Sequence, residues 1–492
     1  MLGPHRLPCE RPIARGPGER PPDDTRWVLP ATILGSSLSF IDGSVVNVAI
    51  PAIRDDLGGS LASMQWVVNG YLLMLASLIL LGGSAGDRFG RRRIFLIGLV
   101  GFTSASLACG IAPSAFWLIA ARLAQGAAAA LLTPASLAII GASFTDEARG
   151  RAIGTWAAAG ALTTALGPPL GGWLVDTIGW RAIFFINLPL GVAAMMMGWK
   201  LSADRTTDRE EPLDVQGALL AVVALGALSV GLVALGEGNA GRGFVALAVA
   251  GPAAWLFIRT ERRSAAPMMP LSLFRNSTFA GANVLTVLLY AALSGPLFLL
   301  PFMLIEAHGY SATAAGAAFL PFSAVMAAGS RWSGALAERF GSRPQLILGP
   351  SVSAIGYLIL GLSGEASSYW TGYLPGLTIV AVGMTLSVAP LTTTVFASAP
   401  DDRSGTASGI NNAAARAGGL VAIAAVGLAF GDAGEARLTG ATIVGAYRWV
   451  MLGAAVLAGL SASTAALTIR VRVRSAADES GRDRSSRATP GC

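Results

Sequence analysis

Two residues of opposite charge stand inside apolar runs of this 492-residue chain, and they are where chemistry is to be sought first. Asp42 lies fifteen residues beyond Trp27 in the first such run. At 1.5 Å per helical residue that is ~22 Å into a membrane-spanning helix, slightly past the midplane. A carboxylate at this depth costs about 2.5–3.5 kcal/mol on insertion scales, which disfavours a charged form facing lipid. Desolvation drives an acid toward its protonated form and a nearby positive charge drives it back, so Asp42 is poised to gain and lose a proton. A cationic ligand would compete with that proton. The alternative is a structural acid that stays paired with Arg416 or with a polar helix.

Arg122 sits about seven residues into a helix entering from the opposite side, at a depth close to that of Asp42. Gln125 and Gly126 share its face by i, i+3 and i, i+4 spacing. Bonding to helix carbonyls is the plain alternative for Arg122. In the fifth run, Gly167 and Gly171 bracket Pro168 and Pro169 at the spacing that allows close helix packing, and the prolines delete backbone donors and bend the helix. That reads as a hinge or seal, against ordinary close packing. Polar and aromatic candidates for touching a ligand are Trp66, Asn69, Tyr71, Gln125, Trp156, Asn283, Tyr290 and Asn411, on a surface expected to be mostly apolar. Glu306 and His308, near the outer end of a run, read as solvated.

Three cysteines (Cys9, Cys109, Cys492) and two histidines (His5, His308) are scattered over unrelated segments. No metal site, disulfide framework or cofactor is expected from them. Gly236, Gly238 and Gly241 spell a dinucleotide fingerprint without the strand it needs, and Asn276-Ser277-Thr278 spells a glycosylation acceptor on the wrong side. With no phosphate-binding loop in the sequence, energy would have to come from a gradient rather than a nucleotide.

The elements that must position these groups follow from composition. Hydrophobic residues make up 53%, charged residues only 13%, and mean hydropathy is +0.61, whereas soluble domains carry roughly 25% charge. The chain reads as all-α and integral to a membrane, since only helices satisfy their own backbone within lipid unless strands close into a barrel. The 61 glycines suit close helix contact. The net charge of +7 could suggest nucleic acid, but the arginines lie in short segments between apolar runs and read as topology signals. Fourteen runs are long enough, or nearly so, to cross about 30 Å of hydrocarbon. With a cytoplasmic N-terminus, 28 basic residues fall on the inner side. The outer side holds only Arg54, Arg181, Arg242, Arg437 and Arg448, so both termini are expected inside.

A charged knot, Gly82 to Arg93, follows the second run and returns in degenerate form as Gly334 to Arg343 after the tenth. Asp87-Arg88-Phe89-Gly90 matches Glu338-Arg339-Phe340-Gly341, which implies two related halves. The expected organisation is a disordered tail over 1–26, a six-helix half over 27–200, a linker with two extra helices over 201–278, a second six-helix half over 279–470 and a tail over 471–492. No cleavable leader is expected before the first run.

GDRFGRRR after the second run resembles the cytoplasmic loop motif of the major facilitator superfamily. Five further stretches are similar to its fourteen-helix drug:proton antiporter branch. They are Ile41 to Pro51, Arg122 to Gly126, Gly160 with Gly167 to Gly172, Trp180 to Pro189 and Gly405 to Asn412. The pattern departs at Ser44, at Ala417 and at Glu306, and residues 313–330 lack the acid that some relatives carry. The resemblance implies two six-helix halves plus two extra central helices, with Asp42 and Arg122 serving proton coupling. It implies that Asp87, Arg88, Gly90 and Arg91 form a conformational latch, Asp87 docking on the thirteenth helix in the outward-facing state. It implies that Gly160, Gly167, Pro168, Gly171 and Gly172 form the antiporter motif. The function it implies is export of hydrophobic, cationic or zwitterionic drugs or antibiotics in exchange for protons, by a monomer without cofactor in a bacterial cytoplasmic membrane. An exporter of an endogenous secondary metabolite is one alternative, and a receptor or scaffold that has lost transport is another. The 34 arginines against one lysine point to a GC-rich bacterial genome.

Overall fold

The computed structural model describes residues 25–202, 212–364, 368–400, 403–433 and 440–469. The expected terminal tails, apart from their edges at the bundle, lie outside the described residues. All described regular structure is helical: α1 (Thr25–Leu57), α2 (Leu61–Phe89), α3 (Arg91–Gly110), α4 (Ala115–Ser143), α5 (Asp146–Thr177), α6 (Ala182–Phe185), α7 (Asn187–Gly198), α8 (Val215–Gly236), α9 (Ala240–Arg263), α10 (Ser277–Phe302), α11 (Ala312–Ala317), α12 (Leu320–Phe340), α13 (Ser342–Gly361), α14 (Leu374–Ser398), α15 (Ser404–Ala425) and α16 (Gly440–Thr468). Among the described residues twelve helical stretches are long and apolar enough to cross a membrane. The charged α5 and the shorter Ala182–Gly198 stand outside that set.

Short polar side chains start many of these helices by accepting an otherwise orphaned N–H. Ser60 accepts from Ser63 N at 3.1 Å, Asp214 from Gly217 N at 2.8 Å, Asn239 from Arg242 N at 3.0 Å, and Asn276 from Thr278 N at 3.0 Å. The two misleading sequence patterns thus have structural jobs: Gly236 to Gly241 is the α8–α9 turn, and Asn276 is the cap of α10.

Three expected spans are broken. The run 182–200 is α6 and α7 joined through Ile186, the run 313–331 is α11 and α12 with a bend before Pro321, and the ninth run ends in a wide π turn over Met303–Ala307. The internal repeat is visible in the backbone. Gly90 ends α2 and starts α3 at φ 94°, and Gly341 ends α12 and starts α13 at φ 81°, a region that side chains other than glycine rarely adopt.

In the first half α2 packs on α4, and α1 packs on α5 and α7; in the second, α10 packs on α15 and α16, and α13 on α14. The extra pair α8–α9 is an antiparallel hairpin at the periphery. Its α8 touches both α2 and α15, the helices along which the halves meet.

At the ends of α1 and α5 remote from the termini, the halves are closed together. The Asp176 carboxylate of α5 accepts Ala312 N at 3.1 Å, Thr313 N at 2.7 Å and Thr313 Oγ1 at 2.5 Å. Arg54 bonds Glu306 at 2.8 Å, and Gln65 Nε2 donates to Ile423 O at 2.6 Å. Glu306 is therefore held in an ion pair with its side chain 20% exposed, contrary to the solvated reading; the helix end places it opposite an arginine of the other half. Toward the terminus side, α12 is open, with Ser333 its one buried residue.

Candidate functional site

The Asp42 side chain is fully buried and tied to α4 through both oxygens. Arg122 Nη1 donates to Oδ2, and Gln125 Nε2 donates to Oδ1 at 2.9 Å. Gln125 Oε1 accepts Arg122 Nη1 at 2.7 Å, closing a three-residue ring of hydrogen bonds. Arg122, 1% exposed, also donates Nε to Val67 O at 3.0 Å and lies over the Tyr71 ring at 4.4 Å. The i, i+3 spacing of Arg122 and Gln125 sets both on the α4 face that meets α1, as the sequence requires. Arg122 makes the carbonyl bond and the ion pair at once, so its two sequence readings are not exclusive. Arg416 is not the partner of Asp42.

Residues that helical spacing does not link to Asp42 complete the network. Ser106 of α3 accepts Gln125 Nε2 at 3.3 Å and Asn187 Nδ2 at 2.9 Å, and donates to Phe184 O at 3.0 Å. Cys109 Sγ approaches Gln125 Oε1 at 3.5 Å. Ser106 stands beside Thr103 and Ser104 in α3, and Asn187 lies within the Trp180 to Pro189 stretch; neither position points to Asp42 by spacing. Such a network is costly to leave half satisfied in a low-dielectric interior. It holds the pair in one geometry.

Each Asp42 oxygen accepts one hydrogen bond from α4. Protonation would cancel the charge that draws Arg122 to the acid, and the acid's charge state is thereby tied to the contact between α1 and α4.

The fifth-helix residues face two ways. A Cβ at Gly160 would lie 2.6 Å from the Phe40 ring, at Gly167 1.9 Å from Ser44 Oγ, and at Gly171 2.5 Å from Val45, all on α1. A Cβ at Gly172 would lie 2.1 Å from Ala312 O, and one at Gly316 2.2 Å from Pro168 O, both across the seam between halves. Small residues there let the two backbones touch.

The ligand candidates divide. Tyr71 is 1% exposed and bonds Ser39 Oγ at 2.7 Å; together with Gln125 it belongs to the surroundings of the acid. Trp156 Nε1 donates to Ser36 Oγ at 3.0 Å. Asn411 Nδ2 donates to Thr286 Oγ1 at 2.6 Å and to Asn283 Oδ1 at 3.4 Å, a polar cluster inside the second half. Tyr290 is half-buried on α10. Asn69 is fully buried with both amide atoms unpartnered. Trp66 packs beside Leu232 and Val233 of the extra hairpin, away from the acid.

In the cytoplasmic-loop motif, Arg91 donates to Asp87 Oδ1 from Nε at 3.2 Å and from Nη2 at 3.0 Å, and to Ala138 O at 3.3 Å. Arg88 lies over Phe89, and Gly90 supplies the turn. The Asp87 side chain is 60% exposed and stays within its own half.

Residues 32–423 match the Major Facilitator Superfamily. The chain is 37% identical over 403 residues to the Multidrug resistance protein Stp of Mycobacterium tuberculosis (strain CDC 1551 / Oshkosh), spanning 81% of this chain and 74% of that protein. It is 36% identical over 435 residues to the Methylenomycin A resistance protein of Bacillus subtilis (strain 168), spanning 87% and 91%. It is 35% identical over 405 residues to the Tetracenomycin C resistance and export protein of Streptomyces glaucescens, spanning 81% and 74%. Among solved structures, the inward-facing, unoccupied bacterial homolog of the human lysosomal transporter Spinster superposes with TM-score 0.64 at 18% identity, covering 91% of this chain and 97% of that one. A D-xylose-proton symporter superposes with TM-score 0.66 at 15% identity, covering 90% and 98%. At these identities the structures speak for the fold alone, but together with the sequence matches they leave one assignment: the chain belongs to the Major Facilitator Superfamily.

Proposed function

We propose that this chain is a secondary antiporter that exports hydrophobic drugs or antibiotics across a bacterial cytoplasmic membrane in exchange for protons. The observation that carries the reading is the buried Asp42, held by Arg122 and Gln125 in an ion pair whose attraction protonation would cancel. An intramembrane acid with a named partner is by default functional. One charge moved across 100 mV supplies about 2.3 kcal/mol, enough to drive useful accumulation per proton. The relatives named for resistance and export support the substrate class.

In this reading the chain crosses the membrane fourteen times with both termini cytoplasmic, α5 and α6–α7 completing the set. The two halves are 27–200 and 279–470, and 201–278 is the insertion. The closed ends then face outward, and the site opens to the cytoplasm. Gly167 to Gly172 serve as the outer seal, and Asp87 is the latch for the opposite state, free of α15 here. The relative named for tetracenomycin C export favours a second reading, in which the natural cargo is a metabolite made by the cell itself. The cationic preference argued from the sequence required an Asp42 open to competition. Arg122 already occupies it, so that argument lapses.

The test is drug-dependent proton release from energised inverted vesicles containing the full chain, scanned over a panel of hydrophobic antibiotics. Release with at least one compound is expected; silence across the panel would remove the antiport reading.

A further inference from the structure

A third charge inside an apolar run, Arg416, has no counterion among the described residues. Arg416 lies twelve residues into α15, ~18 Å along the helix and so well inside the apolar thickness. It is only half-buried. Its side of α15 lies between α2 and α10: a Cβ at Gly409 would lie 2.8 Å from Leu80, one at Gly419 2.8 Å from Ser294 Oγ of α10 and 3.9 Å from Leu72, and Ala413 packs on the core of the first half. Arg416 follows Ala413 by three residues and shares that face.

No ion pair or side-chain hydrogen bond joins Arg416 to another described residue. The acids that could have served are taken: Asp42 by Arg122, Glu306 by Arg54, and Asp176 by the start of α11. With Asp42 and Arg122 cancelling, the interior of the bundle carries one uncompensated positive charge. An arginine kept unpaired inside a membrane is costly unless it faces a polar cavity or a ligand that satisfies it. Its planar fork fits a carboxylate through two parallel, charge-assisted bonds.

We propose that Arg416 is a substrate-binding residue that selects hydrophobic organic anions, aromatic carboxylates and similar acids, over cations of the same shape. This rests on the reading of the chain as an exporter of small molecules, and it replaces the cationic substrate class with an anionic one.

The test is binding, read without any gradient, by isothermal titration of the full chain in phosphatidylcholine nanodiscs. The probes are anthracene-9-carboxylate, its carboxamide and 9-anthracenylmethylammonium, which differ in charge but little in shape. Wild type should bind the carboxylate at least about tenfold tighter than the other two, the scale of one charge-assisted bond. Arg416→Gln should erase that preference and Arg416→Lys should keep most of it, with unchanged elution and melting as the check on folding. Equal binding of all three, tighter binding of the ammonium, no binding of the carboxylate, or a preference that survives Arg416→Gln would each overturn the proposal. So would loss of carboxylate binding on adding phosphatidylglycerol, which would give the arginine to a lipid phosphate. Proton-coupled export stands or falls separately on flux in vesicles: flux driven by cations and indifferent to Arg416→Gln would sink this assignment and leave export intact.

Discussion

Arg122 fastens Asp42 with one nitrogen and the backbone of α2 with another, so a single side chain serves both the acid and the contact of α4 with α2. Removing one member of a buried pair leaves the other charge stranded, typically at a cost of about 3–5 kcal/mol. Arg122→Ala and Asp42→Asn are therefore each expected to lower the melting temperature of the purified protein. Equal melting of Arg122→Ala and wild type would mean that the pair is not formed. Asp42, Arg122 and Gln125 were legible because a charge in an apolar run is rare and helical spacing fixes its neighbours. The link of Ser106 and Asn187 to the acid was not: it exists only through the packing of α3 and α7, which one-dimensional spacing does not encode. Glu306 and Asp176 were hidden differently, since an acid at a helix end looks the same whether it meets water or another half.

α5 and α11 approach closely enough for their backbones to touch, and in the proposed mechanism that contact is the seal. Gly172→Val would drive a side chain into Ala312 O and force the outer ends apart, because well-packed interfaces yield by separating. Asp87→Asn should act in the opposite sense by weakening the latch of the other state. Spin labels at Thr177→Cys and Trp370→Cys, both exposed, report the separation. A long distance is expected to dominate with Gly172→Val and a short one with Asp87→Asn; unchanged distributions in both would remove these motifs from gating. The helices themselves were legible from hydropathy and caps, but the breaks at Ile186, at Ala318 and Phe319, and over Met303–Ala307 were not. Each break lies beside a proline, Pro189, Pro321 or Pro301, which disrupts the helical ladder without changing the hydropathy that defines a span.

At the scale of the whole molecule, the charged knot and its copy imply two related halves, and the glycine turns at Gly90 and Gly341 repeat the same helix-end geometry in the backbone. What the sequence could not show is where the insertion sits. The α8–α9 hairpin packs at the periphery, yet α8 touches α2 and α15 together; in the proposed antiport cycle it would ride on a contact that changes between states. Its polarity is a direct check on the topology. In a chain freed of its own cysteines, Glu237→Cys should react with an impermeant maleimide in intact cells, and Ala265→Cys only after permeabilisation. The reverse pattern would invert the molecule in the membrane.

The central claim is that Asp42 carries the exchanged proton. The direct measurement is gradient-driven accumulation of a transported drug in energised inverted vesicles, wild type against Asp42→Asn at matched levels of inserted protein. Wild type should accumulate the drug and consume the pH gradient while the variant does neither; accumulation by Asp42→Asn equal to wild type would contradict the account.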